Sequence, residues 1–486
     1  MPSQSLFKIS KFFLYLVPFS VVIVYQGSIF PFIVGKYAFF RTAVELALIF
    51  FVWGWALAPQ ARTRPTTYDR QPTTKGKETN SFKSLVVGRW SLVSPLAIAV
   101  VVFVLTYVLA GFFGVDPSAS FWSNFERGEG GFQLLHLLAF FILLILLFRE
   151  EADWRRMFVI SVIAGALLVG YGVFASLKYV DAPTGDIIAG GPWYQTFRDF
   201  IGGTLCDRFS GSLGNPAYVG TYMLFALFYS LYLFLASKRK YLRWLWLGAA
   251  VLFSVFLFLS QTRGAFLGLG MGILFALVYA VIKGRAVWVR LSSFFAIVLL
   301  VGSGVYLFNN PRTVNIVPGC EAKGQLLDTR LDAATFQTRL VLWRQSVEAF
   351  KDRPLFGWGP ENFSLAIEKH FDSALSASWF DRAHNILFDY LIFGGIIGLV
   401  GFLGVFAVFY WEALRGILRS RAAPAGATAG GFADLSLYHQ ALVFALPIAY
   451  LVQGAVLFDV LPTYINFFLF FAFASYALRK DRSRLS

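Results

Sequence analysis

Long apolar runs alternate with short polar breaks along almost the whole chain. The hydrocarbon core of a bilayer, about 30 Å thick, takes about 20 apolar helical residues to cross. Runs of that order recur at 12–34, 37–58, 90–115, 132–148, 157–179, 216–236, 241–260, 264–282, 288–308, 384–410, 439–458 and 461–478. Backbone amides and carbonyls find no water in lipid, so such spans must be helices. The pattern predicts an all-α, polytopic membrane helix bundle of about twelve transmembrane helices. It forms one integral membrane domain over 1–486, with a three-helix part at 384–478. The first run is too long for a signal-peptide core, contains Pro18 and Pro31, and lacks a small-residue cleavage site before the next run; it is expected to stay as a span.

The polar breaks differ in kind. Residues 59–89, rich in Thr, Pro, Lys and Arg, read as a disordered cytoplasmic linker. The Ala/Gly/Pro run at 422–431 reads as a flexible connector. Residues 309–383 form one large loop between spans nine and ten. Within it Leu340, Trp343, Val347 and Phe350 recur at helical spacing, predicting an amphipathic helix that begins at Arg339 and lies along the membrane interface. Pro354, Gly357 and Gly359 end it, and a second helix is expected over 361–371.

Composition and charge support this class. The chain is 57% hydrophobic and 14% charged, against about 45–50% and about 25% for a soluble domain. Its net charge of +15 is chiefly a topology signal. Lys238–Arg243, Lys283–Arg290, Arg415–Arg421, the linker and the last residues all fall on one side of the predicted bundle. The positive-inside rule then puts both termini in the cytoplasm and 309–383 outside. No nucleic acid is needed to explain the charge, although anionic lipid would bind the inner surface. Cys206 and Cys320 both fall in predicted outside loops, where a disulfide and two free thiols are equally open. The four histidines and two cysteines show no metal-ligand spacing.

Candidate chemistry gathers in the outer breaks. Arg263 opens a span after a tight turn, either as a snorkelling boundary residue or as a fixed cation facing an anionic headgroup. The short turn favours the second, because Gly264 opens a helix whose N-terminal amides also attract anions. Arg339 has Trp343 one turn on, an aromatic able to hold the guanidinium flat or to stack on a sugar. His384 begins span ten, where a helix dipole disfavours a second proton and suits a base. The bland alternative is a helix cap shared with Asn385. Arg208 lies in a glycine-rich run ending at Asn215 and Pro216 that could cradle phosphate. Glu45, an acid inside span two, is explained by a pair with Arg41 as readily as by function. His136, His370 and His439 read as structural. Outward arginines with one histidine suit an enzyme acting on an anionic, lipid-borne substrate, since arginine binds diphosphate in a bidentate fashion.

The order Ser260-Gln-Thr-Arg263-Gly-Ala, Arg339-x-x-x-Trp343, Pro354-Leu-Phe-Gly357-x-Gly359, Ala383-His384-Asn385 and Phe393-Gly394-Gly-Ile-Ile-Gly398 resembles the O-antigen ligase and polymerase superfamily. Arg208-x-x-Gly211-x-x-x-Asn215-Pro216 and the loop Asp116-Pro…Ser120-Phe-Trp…Arg127-x-x-Gly130 are also similar to its members. Together these motifs scatter over roughly 110–405. The family's second small residue before the first arginine is replaced here by Gln261-Thr262, and the C-terminal helical repeats of some relatives are missing. The resemblance implies metal-independent transfer of a glycan from undecaprenyl diphosphate to an acceptor hydroxyl, at the outer face of the bacterial cytoplasmic membrane and without a cofactor. It puts essential roles on Arg263, Arg339 and His384, and donor or acceptor contacts on Arg208, Asn215, Trp343 and Asn385. The expected partners are a lipid-linked oligosaccharide donor, membrane lipids and a glycolipid, glycan or protein acceptor. An inverting reaction fits the absence of a paired-carboxylate signature, since a single displacement needs no glycosyl-enzyme.

Ligase, polymerase and protein O-oligosaccharyltransferase remain open within this class. The rival from another class is a transporter or flippase of lipid-linked sugar, which would gather polar residues in a central cavity at mid-membrane.

Overall fold

A computed structural model describes residues 2–58, 94–124, 126–177, 208–309, 334–371, 380–422 and 435–478. The described chain forms helices α1 (Pro2–Leu16, continued as a 3-10 helix over Val17–Val22), α2 (Val34–Ala56), α3 (Pro95–Phe112), α4 (Pro117–Trp122), α5 (Gly131–Leu147), α6 (Glu151–Leu177), α7 (Pro216–Ala236), α8 (Lys240–Leu259), α9 (Arg263–Lys283), α10 (Val287–Asn309), α11 (Ala334–Asp352), α12 (Phe363–Lys369), α13 (Ile386–Ala422), α14 (Leu437–Gly454) and α15 (Leu461–Ala477). Among the described residues nine helices are long and apolar enough to cross a membrane. Two shorter apolar helices, α5 and α15, and the Pro447-containing α14 join them. The chain is an all-α integral membrane bundle. The linker at 59–89, Cys206, Cys320 and most of the 422–431 connector lie outside the described residues.

The first span sits about ten residues earlier than the apolar run suggested. It is helical from Pro2 and leaves helical geometry at Ile23. Gly27, Ser28 and Pro31 then turn the chain. Buried Lys36 caps the freed backbone, its Nζ donating to the carbonyls of Ile23 at 2.5 Å and Ser212 at 2.8 Å.

The core centres on α15, buried along nearly its whole length. Phe467 and Phe471 pack against Phe406 of α13, and Phe473 packs on Trp154 and Phe158 of α6. Edge-to-face aromatic pairs of this kind add about 0.5–1.5 kcal/mol each beyond buried area. One seam between two helices is especially close. Gly264, Gly268 and Gly272 of α9 face Gln453, Ala449 and Ala445 of α14, so close that a Cβ on Gly272 would lie 3.1 Å from that of Ala449. Small residues at four-residue spacing let two helices approach this way in lipid.

The glycine motifs of the large loop have a structural purpose. Helix α13 breaks at Gly395 (φ 59°, ψ −156°), which would strand backbone groups within the membrane. The segment 354–359 inserts into the break. Trp358 and Gly359 amides donate to the carbonyls of Ile392 (2.7 Å) and Phe393 (3.1 Å), and the Ile396 amide donates to the Pro354 carbonyl (2.8 Å). A broken span is tolerated when protein re-satisfies its backbone in this way. Gly357 (φ 68°) is required twice over, because a side chain there would also collide with the Ile392 carbonyl.

Helix α11 starts at Ala334, five residues before Arg339, and buries a face other than the predicted one. Leu342, Gln345, Ser346 and Ala349 are buried, whereas Leu340 and Val347 are exposed. The smaller side chains let α11 settle on Trp358, whose Nε1 donates to the Ala349 carbonyl at 2.8 Å. Leu340 and Val347 are left facing outward, while Trp343 and Phe350 flank the buried face and are partly buried against the core.

Candidate active site

Arg208, Arg263, Arg339 and His384 gather at one end of the bundle. Arg208 precedes α7 and is fastened to the turn between α8 and α9. Its neighbour Phe209 donates its amide to the Leu259 carbonyl (3.0 Å). The Arg208 guanidinium donates to the Ser260 carbonyl (3.1 Å) and the Thr262 hydroxyl (3.2 Å). Gln261 takes a left-handed conformation (φ 47°), which turns the chain so that Arg263 becomes the first residue of α9. Arg208 and Arg263 are thus held by one turn.

Arg339 approaches the same place from α11. Burial and the charges of Arg263 and Arg208 hold its guanidinium below the usual arginine range. Burial and Arg263 do the same to Arg208. Among the described residues no carboxylate pairs with Arg208 or Arg339. Arg208 and Arg339, both lowered by burial and by the neighbouring Arg263 charge, make a site prepared for an anion.

His384 adjoins this cluster. Burial, then the Arg339 charge, lowers its pKa below the ordinary 6.5, so the imidazole is neutral at pH 7. Its Nδ1 lies 3.3 Å from the Arg382 carbonyl; with Nδ1–H donating there, Nε2 is left as a proton acceptor. The residue is strained, with φ at 55°, and such geometry persists only where its surroundings enforce it. Here the preceding peptide is gripped on both sides. The Ala383 amide donates to Asp389 Oδ1 (2.7 Å), and the Ala383 carbonyl accepts from Trp343 Nε1 (3.0 Å). Phe458 closes one side of the imidazole edge-on, ring centres 5.1 Å apart.

Behind His384 lies an ion network that the sequence hides. Arg127 Nε donates to Asp381 Oδ2 (2.6 Å), its NH1 donates to the Tyr218 hydroxyl (3.2 Å), and its guanidinium lies 5.0 Å from the Phe458 ring centre. Arg382, 4% exposed, pairs with Glu361 (2.6 Å) and Glu129 (3.4 Å) and lies over Phe393. Burial raises the Glu129 carboxyl to about 7 against the opposing pull of Arg382 and Arg127. Burial likewise raises Asp459, which accepts from the Tyr450 hydroxyl, to about 7. In the sequence Arg127 belongs to a loop motif that names no partner for it, and Asp381 and Arg382 look like helix flanks. Their contacts span more than 250 residues, and no local spacing signals that.

The remaining sequence candidates fall as follows. Trp343 is stacked on Phe388 (5.8 Å, 22°) and bonded to Ala383, which makes it an anchor for the His384 backbone. Asn385 is 7% exposed and caps α13 through the Leu387 amide (2.9 Å). Asn215 caps α7 through the Ala217 amide (2.8 Å) and also lines an outer pocket. Glu45 pairs with His136 (2.9 Å) instead of Arg41. Arg41 is taken by Gln133 (2.6 Å) and the Gly128 carbonyl (2.6 Å), because α5 packs beside α2 and offers better-aimed partners than the same helix one turn away.

Comparison with known proteins agrees with the motifs. Residues 248–403 match the family model described as O-antigen ligase, a stretch that holds Arg263, Arg339 and His384 but neither Arg208 nor Arg127. A general O-oligosaccharyltransferase from Acinetobacter baylyi is 26% identical over 292 residues, 57% of this chain and 46% of that protein. The matched part therefore spans about half the length of that curated relative.

Proposed function

We propose that this chain, a member of the O-antigen ligase and polymerase superfamily through its residues 248–403, moves an oligosaccharide from undecaprenyl diphosphate to an acceptor hydroxyl with inversion at the anomeric carbon. The observation that carries the reading is the convergence of Arg208, Arg263 and Arg339 on one mutually repelling cluster with His384 at its edge. The arginines grip the donor diphosphate and stabilise the charge that grows on it as it leaves. His384 Nε2 accepts the acceptor's hydroxyl proton. The acceptor oxygen bonds to the anomeric carbon as the bond from that carbon to the diphosphate oxygen breaks, and the electron pair departs with the diphosphate. The location of the cluster at one end of the bundle favours an enzyme over a transporter, which would hold its charges at mid-depth. With the basic loops at the opposite end inside, the site faces out of the bacterial cytoplasmic membrane.

The name of the Acinetobacter relative favours delivery of a whole oligosaccharide to an oxygen acceptor over chain polymerisation. The test is transfer by the protein in liposomes, with a labelled lipid-linked oligosaccharide as donor. Arg339→Ala and His384→Ala are each expected to lower transfer by about 100-fold or more with the melting temperature unchanged. Full transfer by both variants would overturn the proposal.

A further inference from the structure

Helix α2 carries an acid on a side that faces lipid. Glu45 is the middle residue of the 23 in α2, about 16 Å from either end at a rise of about 1.5 Å per residue, so it lies near the bilayer centre. Its side chain is 52% exposed, whereas that of its partner, His136 of α5, is 12% exposed. Ionisable groups at such depth normally face the bundle interior. The pair itself is neutral. His136 Nδ1 lies 2.8 Å from the Phe132 carbonyl and therefore carries a hydrogen. One further proton, shared between His136 Nε2 and Glu45 Oε1 across 2.9 Å, balances the pair whichever atom holds it. Neutrality lets the acid enter the membrane, but it does not satisfy the second carboxyl oxygen. Among the described residues no bond involves Glu45 Oε2.

Glu45 belongs to a continuous open stripe. Ala38, Thr42, Glu45, Ile49 and Val52 are all exposed and recur at alternating spacings of four and three residues, the repeat of a helix that packs along another. The stripe by itself says only that this side meets lipid; its composition says more. The exposed side of α3 carries Ile98, Val102 and Leu105, and that of α10 carries Phe295, Leu299 and Val305, all bulky and apolar. The first half of the α2 stripe is instead Ala38, Thr42 and Glu45. Small and hydrogen-bonding residues of this kind join helices in lipid, where apolar burial supplies no drive. Thr42 adds the missing donor, since among the described residues no bond involves its hydroxyl. A free donor thus stands one turn before a free acceptor on the same open face.

We propose that α2 docks against α2 of a second copy of this chain, forming a two-fold dimer in the membrane in which Thr42 of each copy donates to Glu45 Oε2 of the other. Copies inserted in one orientation have parallel α2 helices, and the two-fold axis runs along the bilayer normal. Such an interface brings the same patch of both subunits together, so a patch that holds both donor and acceptor satisfies itself twice. Helix geometry agrees. The Cα–Cβ bonds tilt towards the helix N-terminus, which carries the Glu45 carboxyl back to the level of Thr42 on the facing helix. Ala38 lets the backbones approach, and Ile49 and Val52 close the deeper part of the seam. The same helix also holds part of the outer surface. Arg41, one turn before Glu45, donates to the Gly128 carbonyl (2.6 Å), between Arg127 and Glu129. The seam therefore lies beside the loop that feeds the ion network behind His384.

The test is the oligomeric state of the full chain in liposomes, read by single-molecule photobleaching of a fluorescent tag as the protein is diluted in lipid. A monomer–dimer equilibrium is expected. Thr42→Val and Glu45→Leu each remove both symmetry-related bonds and should weaken dimerisation about tenfold. Glu45→Gln, whose amide can donate to His136 Nε2 and accept from Thr42, should dimerise as before. Because Glu45→Leu also takes the partner from His136, Ala38→Trp serves as a variant that touches no bond. It should leave the melting temperature unchanged and yield monomers by blocking the approach. Leu299→Trp, on the exposed side of α10, is the control and should dimerise like the unaltered chain. A chain that stays monomeric at every density would leave this face to a different membrane protein and overturn the proposal. Dimers that Thr42→Val and Ala38→Trp both leave unchanged would move the contact elsewhere and overturn it as well. Neither readout involves glycan transfer, so this proposal and the transferase reading fail separately.

Discussion

The indole Nε1 of Trp343 donates to the carbonyl of Ala383 across 3.0 Å and so fixes the peptide immediately before His384. Two segments 40 residues apart meet at that bond, and it helps hold the histidine in a backbone conformation that L-residues avoid. Trp343→Phe keeps the ring stacked on Phe388 but leaves the carbonyl unpaired, which costs about 1–3 kcal/mol. Transfer kinetics should show a fall in kcat with donor KM nearly unchanged. A rise in donor KM at constant kcat would assign Trp343 to the sugar instead.

Gly395 is the hinge of the broken helix. Its positive φ, together with a Cβ that would collide with the Leu355 carbonyl, predicts that Gly395→Ala destabilises the protein by at least about 1–3 kcal/mol. Gly404 lies farther along the same helix with open space where its Cβ would be, so Gly404→Ala serves as the control. Melting curves of the two variants in the same detergent should separate clearly.

The pH dependence of transfer should report His384. Burial and Arg339 lower its pKa, so the neutral, proton-accepting form survives below pH 6.5. Transfer should hold from pH 8 down through 6.5 and fall only under more acidic conditions. A half-maximal point above pH 7 would contradict a base beside a cationic cluster.

Asp459 gives a stability signature of opposite sense. Its folded pKa, about 7, is raised above the unfolded value of 3.8. Its contribution is therefore fully present below pH 3.8 and is lost as pH rises through 7. Stability should fall by up to about 1.4 kcal/mol per pH unit in that window. Asp459→Asn, which keeps an oxygen for the Tyr450 hydroxyl, should flatten this slope between pH 5 and 7.5 in thermal unfolding.

Arg382 balances two buried acids. Arg382→Ala would leave Glu361 and Glu129 without their cation, at a cost of about 3–5 kcal/mol. Thermal unfolding should detect the loss, and the double change Arg382→Met with Glu361→Gln should recover part of it.

The bundle is legible in the chain's apolar pattern. A bilayer leaves backbone groups no partner but their own helix, so apolar runs of about 20 residues dictate spans, and those runs reappear among the helices from α2 to α15, although α13 continues to Ala422, past the predicted end at 410. The sequence also marked Arg208, Arg263, Arg339 and His384, because each stands at the edge of a span or helix within a short motif of the resemblance. How they are held depends on contacts between segments far apart in the chain. Periodicity chose the wrong face of α11, since Trp358 from outside the helix selects the small residues. The glycine motif at 357–359 looked like a loop end, yet it repairs a break in a helix more than 30 residues onward. The pairing of Arg127, Asp381, Arg382, Glu361 and Glu129 carries no local signature, because an ion pair between residues 254 apart depends on how the spans are brought together in space.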